Sequence, residues 1–167
     1  MSNHPRWRLH AQCDDISWIR EAPTCKVRGG DGYMYEPVWL HPTEAAKRGI
    51  ESGDIVKLYN QRGVVLGGAC VTERIMPGVA YMDHGARCDW IIPGELDRGG
   101  AINLISPGGT TSKNCAGQAT SGYLVEVEKL KMEEMEEWKK RYPSAFDKEY
   151  DPASGLRFNA WIEAGTK

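Results

Sequence analysis

At 167 residues the chain suits a single domain with an ordinary core, and its formal net charge of −2 comes from 21 basic and 23 acidic side chains. The two signs are interspersed, so no broad cationic surface exists to neutralise nucleic-acid phosphates or to dock on anionic lipid. No window approaches the roughly 20 apolar residues of a membrane span, and MSNHPRWRLH carries charges where a signal peptide has its apolar region. As it stands, the chain is expected to be cytoplasmic, with no nucleic-acid partner and no membrane segment.

The glycines and prolines concentrate before residue 125, which predicts a β-rich body of short strands and tight turns, followed by a helical tail in the charged run from Glu126 to Arg141. RWRLHAQ alternates, with Trp7 and Leu9 on one face and Arg6, Arg8, His10 and Gln12 on the other, and so predicts an opening strand. Residues 14–21 carry a partial helical pattern that Pro23 breaks, and a mobile loop is expected from Gly29 until Pro37. VWLHPTEAAKRGIESGD predicts a strand over Val38 to Leu40. A two-turn helix follows, capped by His41 or Thr43, with Pro42 in its first turn and Gly49 as its left-handed stop. DIVKLYN and the return from Val64 to Thr72 read as a hairpin across Gln61-Arg62-Gly63, with the glycine supplying a positive φ.

A turn at Pro77-Gly78 leads into a strand over Val79 to Met82. From His84 to Gly100 no period emerges, and the stretch reads as a long loop of the kind that is more often functional than idle. Ala101 to Ile105 predicts a short strand, and Ser106 to Ser121 a polar loop. The last strand is Tyr123 to Val127, with Tyr123, Val125 and Val127 on one face. KLKMEEMEEWKKRY gathers Leu130, Met135 and Trp138 on one side of an amphipathic helix that Pro143 ends. Phe146, Tyr150, Phe158 and Trp161 follow without a period and suit a segment that wraps over another surface.

The search for an active site within the chain is negative. There is no Walker loop, GxGxxG turn, HExxH helix or GxSxG elbow. The histidines at 4, 10, 41 and 84 lack the i, i+4 pairing of a metal site. Cys13, Cys25, Cys70, Cys88 and Cys115 form no CxxC and read as reduced, core-type thiols. Three polar clusters stand out: Arg6/Arg8/His10/Gln12, His84/Arg87, and Asn103 with Thr110/Thr111/Ser112/Lys113/Asn114. All offer donors rather than nucleophiles. Arg grips phosphate bidentately, Lys meets it as a point charge, Ser and Thr hydroxyls suit its oxygens, and Asn or Gln pairs with heterocycle edges. The bland alternative is that such Gly-, Ser- and Thr-rich loops only make turns.

HPRWRLHAQ, VWLHPTEAAKRGIESGDIVKLYNQRG with its continuation VTERIMPGVAYMDHGA, and GGAINLISPGGTTSKNCAGQATSGYLVEVEK resemble, in order and spacing, successive segments of one known domain. It is the C-terminal molybdopterin-dinucleotide-binding domain of the dimethyl sulfoxide reductase family of molybdenum and tungsten oxidoreductases. The resemblance covers roughly residues 4–129. It implies a mainly β fold of the aspartate-decarboxylase-like kind, a six-stranded double-psi β-barrel with short helices over 1–129, and a helical and extended tail over 130–167 that packs on the barrel or on a partner.

The implied cofactor is molybdopterin guanine dinucleotide, whose molybdenum or tungsten is held mainly by other domains. By motif, His10, Ala11 and Gln12, assisted by Arg8, would lie against the pterin–pyrophosphate region. Asn103 and the loop residues Thr111, Ser112 and Lys113 would meet pterin or nucleotide. The resemblance implies no catalytic residue and no metal ligand in this chain. It would be one part of a molybdopterin-dependent oxidoreductase, not catalytic on its own, whose partners are the catalytic molybdopterin domains or subunit and an iron–sulfur electron-transfer subunit. The alternative is a non-catalytic double-psi barrel serving as a protein-interaction or adaptor module, since fold does not fix function.

Overall fold

The alternation of DIVKLYN and its return folds as the hairpin that organises the sheet, β4 (Ile55–Asn60) against β5 (Gly63–Val71), paired from Ile55↔Gly68 to Asn60↔Gly63. In the computed structural model, which describes residues 26–118, 122–147, 150–151 and 156–157, Asn60 shapes the turn by accepting from the Arg62 amide at 2.9 Å. Gly63 is not at positive φ, contrary to expectation. Glycine is needed there for close approach, because a Cβ would come within 2.9 Å of the Glu95 carbonyl oxygen and the Leu104 Cγ.

The chain is mainly β with a few short helices. Before the hairpin come β1 (Val27–Arg28), β2 (Met34–Tyr35) and β3 (Pro37–Leu40); after it come β6 (Ala80–Met82), β7 (Trp90–Ile92), β8 (Leu96–Asp97), β9 (Thr110–Ser112), β10 (Cys115–Gln118) and β11 (Glu126–Lys129), with a last pair β12 (Tyr150–Asp151) and β13 (Leu156–Arg157). The helices are α1 (Pro42–Lys47), α2 (Met132–Arg141) and α3 (Pro143–Phe146), with a 3-10 turn at Ile102–Leu104. At α1 the expected punctuation holds: His41 caps by accepting from the Thr43 amide, and Gly49 stops the helix at φ 61°.

Seven strands form the main sheet, with the path β11-β4-β5-β3-β6 and β8 and β7 branching from β5. Along one edge β5 meets β4 antiparallel; along the other it meets two parallel partners in succession, β8 at Val64–Val65 and β3 at Gly68–Val71. Among the described residues the path stays open, since β6 and β11 are not hydrogen-bonded. Its two ends nonetheless approach each other. Ala80 of β6 and Val127 of β11 line the same cavity of about 90 Å³, with Leu40, Val79 and Val125.

Period-two alternation sorts the side chains into two cores. Val56, Leu58 and Val65 face one cluster together with Val38, Leu40, Ile102 and Ile105, and the predicted shared face of Tyr123, Val125 and Val127 packs there too. Ile55 and Leu66 face the other, with Tyr35, Ile91 and Leu96. The tail helices complete this second core through Leu130, Met135, Trp138, Tyr142 and Phe146. Lys57 of β4 ties sheet to tail, with its ammonium 2.6 Å from Glu128 and 2.7 Å from Glu134. In α2, Glu133 and Glu134 in the first turn and Lys139 to Arg141 in the last match the helix dipole.

Five further expectations are corrected. The last strand, expected over Tyr123 to Val127, is β11 at Glu126–Lys129, with β12 and β13 after it. Ala101 to Ile105 is not a strand but the 3-10 turn: alternation would place residue 103 on the face of 105, yet Asn103 is exposed while Ile102 and Ile105 are buried. The stretch from His84 to Gly100 holds β7 and β8, too short and too bulged at Trp90/Ile92 to show a period. The loop expected from Gly29 begins as the turn of the β1–β2 hairpin, and the polar loop after Ser106 contains the β9–β10 hairpin. The opening strand, the helix over 14–21, Phe158 and Trp161 lie outside the described residues.

If the tail is part of the second core, truncating its fully buried Met135 must weaken the whole fold. Met135→Ala should lower unfolding stability by about 2–4 kcal/mol in urea denaturation, the usual cost of a buried Met-to-Ala cavity.

Candidate functional site

The turn that carries Asn103 is held from below by a buried carboxylate. Asp97 ends β8 and is fully buried; its Oδ1 accepts from the Asp89 amide at 2.6 Å and its Oδ2 from the Ala101 amide at 2.7 Å. Burial raises its pKa, and the amide bonds from Ala101 and Asp89 oppose that rise without cancelling it. Between Asp97 and Ala101 the chain threads a gap that only glycine passes. A Cβ at Gly99 would overlap the Arg87 carbonyl oxygen, and at Gly100, with φ 89°, one would overlap the Glu36 side chain. Glu36 is itself buried and ion-paired with buried Lys26.

Arg98 points the other way. Its guanidinium lies 4.6 Å from the ring centres of both Tyr33 and Phe146, donates to Asp89 Oδ2 at 3.0 Å and reaches the Ala145 carbonyl at 3.3 Å. Tyr33 donates its hydroxyl to the same Asp89 oxygen at 2.8 Å, and burial, then the Asp89 charge, push its pKa well up. A single tetrapeptide, Asp97-Arg98-Gly99-Gly100, therefore joins β8, the loop of residues 87–89, the tail and the turn that follows.

Downstream the turn is fixed by its own apolar residues. Ile102 and Ile105 sink into the first core, and Asn60 donates to the Ile105 carbonyl at 2.8 Å. Asn103 is left exposed. Beyond it the β9–β10 hairpin stands as a separate two-stranded sheet. Ser112 and Lys113 are exposed near its tip, where Ser112 accepts from the Asn114 amide at 3.3 Å. Among the described residues, neither the Asn103 amide nor the Lys113 ammonium has a partner within the chain.

Of the sequence-predicted site residues, Asn103, Ser112 and Lys113 thus present their donors outward. Thr111 lies in β9, its side chain outside the described residues, and Arg8, His10, Ala11 and Gln12 lie outside them altogether. His84 and Arg87 are half-buried and engaged in interactions of their own. Their loop meets the Asn103 segment through backbone, at Gly99 and at the Asp89 amide. Sequence reasoning missed Asp97, Arg98, Asp89 and Tyr33 as the frame of this region. The available signal was DRGG, an ion-pairing dipeptide before two glycines inside a long aperiodic loop.

No group of three His, Cys, Asp or Glu that could hold a metal occurs among the described residues. Cys70 and Cys88 are half-buried thiols, and burial raises the pKa of Cys88. Exposed amide, hydroxyl and ammonium donors thus sit on a β scaffold. The family model for the molybdopterin dinucleotide binding domain matches residues 1–120, and the chain belongs to that family.

It is 38% identical over 131 residues to trimethylamine-N-oxide reductase of Haemophilus influenzae, an alignment covering 76% of this chain and 15% of that protein. It is 39% identical over 133 residues to trimethylamine-N-oxide reductase 1 of Escherichia coli K12, covering 77% and 15%. Against dimethyl sulfoxide/trimethylamine N-oxide reductase of Rhodobacter capsulatus it is 38% identical over 131 residues, again covering 77% and 15%. The chain thus spans about 15% of the length of these curated relatives.

Two outcomes follow from the frame. Gly100→Ala should cost at least about 2 kcal/mol of unfolding stability by urea titration, combining left-handed strain with overpacking against Glu36. The pH dependence at Asp97 has a defined sign: its folded pKa is raised, so the folded state takes up the proton more readily than the unfolded chain. Relative to Asp97→Asn, the wild type should gain stability as pH falls from 7 through the folded pKa and level off below about 3.9, the ordinary Asp value. Parallel denaturation series from pH 7 to pH 3.5 check this.

Proposed function

We propose that the chain is the cofactor-binding unit of a larger molybdopterin oxidoreductase and holds part of a molybdopterin guanine dinucleotide, with molybdenum coordinated mainly by other domains or chains. The observation that carries this reading is the dinucleotide-binding family match over residues 1–120. The donor set fits such a group. An outward amide at Asn103 suits a heterocycle edge or a ribose, and the Ser112 hydroxyl and Lys113 ammonium suit pyrophosphate oxygens. Arg8, His10, Ala11, Gln12 and Thr111 are proposed to complete the cradle.

The bound group supplies the redox chemistry; the residues of this chain bind and orient it and exclude water from it. Partners in this reading are the remaining molybdopterin domains or subunit, with an iron–sulfur electron-transfer subunit beyond them. The family match favours it over an adaptor module, which needs no dinucleotide.

The finer architecture belongs to the same proposal: a six-stranded double-psi barrel over residues 1–129, with the helical and extended tail over 130–167 packed on it. Two features support it. Parallel and antiparallel neighbours share β5, as interlocked crossovers require, and the two ends of the sheet face each other across one cavity.

Calorimetric titration with guanosine diphosphate, a fragment carrying the base, ribose and pyrophosphate, tests the reading. The folded chain should bind it, and Asn103→Ala and Lys113→Ala should each weaken binding by roughly 1–3 kcal/mol, the cost of a lost polar or charged hydrogen bond. A folded chain that ignores guanosine diphosphate and released cofactor alike, alone and with its catalytic partner, would turn the assignment toward the adaptor.

A further inference from the structure

We propose that Asp97 is the positioning residue for Asn103, its carboxylate clamping the backbone on both sides of the Gly99-Gly100 passage so that the 3-10 turn presents Asn103 outward in one orientation. The proposal rests on the reading of Asn103 as a ligand-binding residue. Three observations carry it. Asp97 spends its two carboxylate oxygens on two different backbone segments, the Asp89 amide at 2.6 Å and the Ala101 amide at 2.7 Å, and Ala101 is the residue from which the turn starts. The intervening glycines leave no slack, since a Cβ at either would overlap Arg87 or Glu36. Ile102 and Ile105 are buried in the first core, so the backbone that carries Asn103 is fixed between them and the Ala101 anchor.

A buried carboxylate bonded to amides is expensive to keep, because desolvation penalises it and, among the described residues, it forms no ion pair. Apolar packing would serve a purely structural strand end better. An acceptor with two separately aimed oxygens is what holding two amides at a fixed separation requires. Asparagine at this place offers one oxygen and turns an N–H donor toward the other amide. The bond can also be cut from its far end. Ala101 has φ −73°, a value proline adopts, so Ala101→Pro deletes the N–H, and its ring displaces the carboxylate oxygen that the N–H held.

The test measures guanosine diphosphate affinity and amide hydrogen exchange for the full chain as wild type, Asp97→Asn, Ala101→Pro, Asn103→Ala and the Asp97→Asn/Asn103→Ala double variant. Asp97→Asn and Ala101→Pro should each weaken binding roughly fivefold to tenfold, the equivalent of one hydrogen bond, and should speed exchange at residues 102–105. The double variant should bind no more weakly than Asn103→Ala alone, because Asp97 acts only through Asn103.

Additive losses in the cycle, or wild-type affinity in either clamp variant, would overturn the inference. Should Asp97→Asn not fold, Ala101→Pro reads the same bond. Should the wild type bind no guanosine diphosphate, the ligand reading of Asn103 fails separately. The exchange data then decide the clamp, for which unchanged protection at 102–105 in both variants is disproof and faster exchange is support.

Discussion

β5 must accept two parallel neighbours end to end along one edge while β4 pairs with Gly63 to Gly68 along the other. Most of the structure depends on that pairing. Parallel partners cannot be joined by a tight turn, so longer connections are needed between β3 and β5, and again between β5 and β8. α1 with its cap and glycine stop, then β4, make the first, and β6 and β7 lie within the second. The crowding shows in β5 itself, where a Cβ at Gly67 would overlap Val38 and one at Gly68 would overlap Val27. Glycine there permits strands and loops to pack against backbone, at the expense of strand propensity.

The same crowding explains why charged groups are buried near the crossing. Lys26 and Glu36 neutralise each other inside the fold, and Glu36 also fills the space that forbids a side chain at Gly100. Asp89 serves Arg98 and Tyr33 together, and Arg98 carries the connection on to Phe146 and Ala145 in the tail. Such pairs are weak contributors to net stability but costly to break one partner at a time, so they specify where loops lie more than how tightly the protein folds. The exposed pairs around α1, Glu44 with Lys47 and Arg48, contribute little by comparison.

Outward donors and buried frame are thus different residues. Asn103, Ser112 and Lys113 are exposed, and among the described residues the Asn103 amide and the Lys113 ammonium have no partner. Asp97, Arg98, Gly99 and Gly100 are buried and bind nothing but their own fold. A family member that spans about 15% of its reductase relatives fits this division, since it can contribute one wall of a cofactor site.

Local signals were legible without any structure. α1 and its cap, the β4–β5 hairpin, the shared face of Tyr123, Val125 and Val127, and the apolar side of α2 all follow from periodicity and capping chemistry, which act over a few residues. The donor types at Asn103, Ser112 and Lys113 were readable as well, and the resemblance of their segments named the family. Other features needed the fold. Ala101 to Ile105 reads as a strand by composition and becomes a 3-10 turn because Asp97, buried in a neighbouring strand, captures its first amide. β7 and β8 are too short to leave a pattern and exist because β5 offers an edge. Gly63 looked like a turn residue and is a close-packing residue. Sequence by itself therefore determined the short-range elements and the chemistry of the donors. Tertiary structure decided which donors are held outward and by what, because burial and strand partners are set by residues distant in the chain.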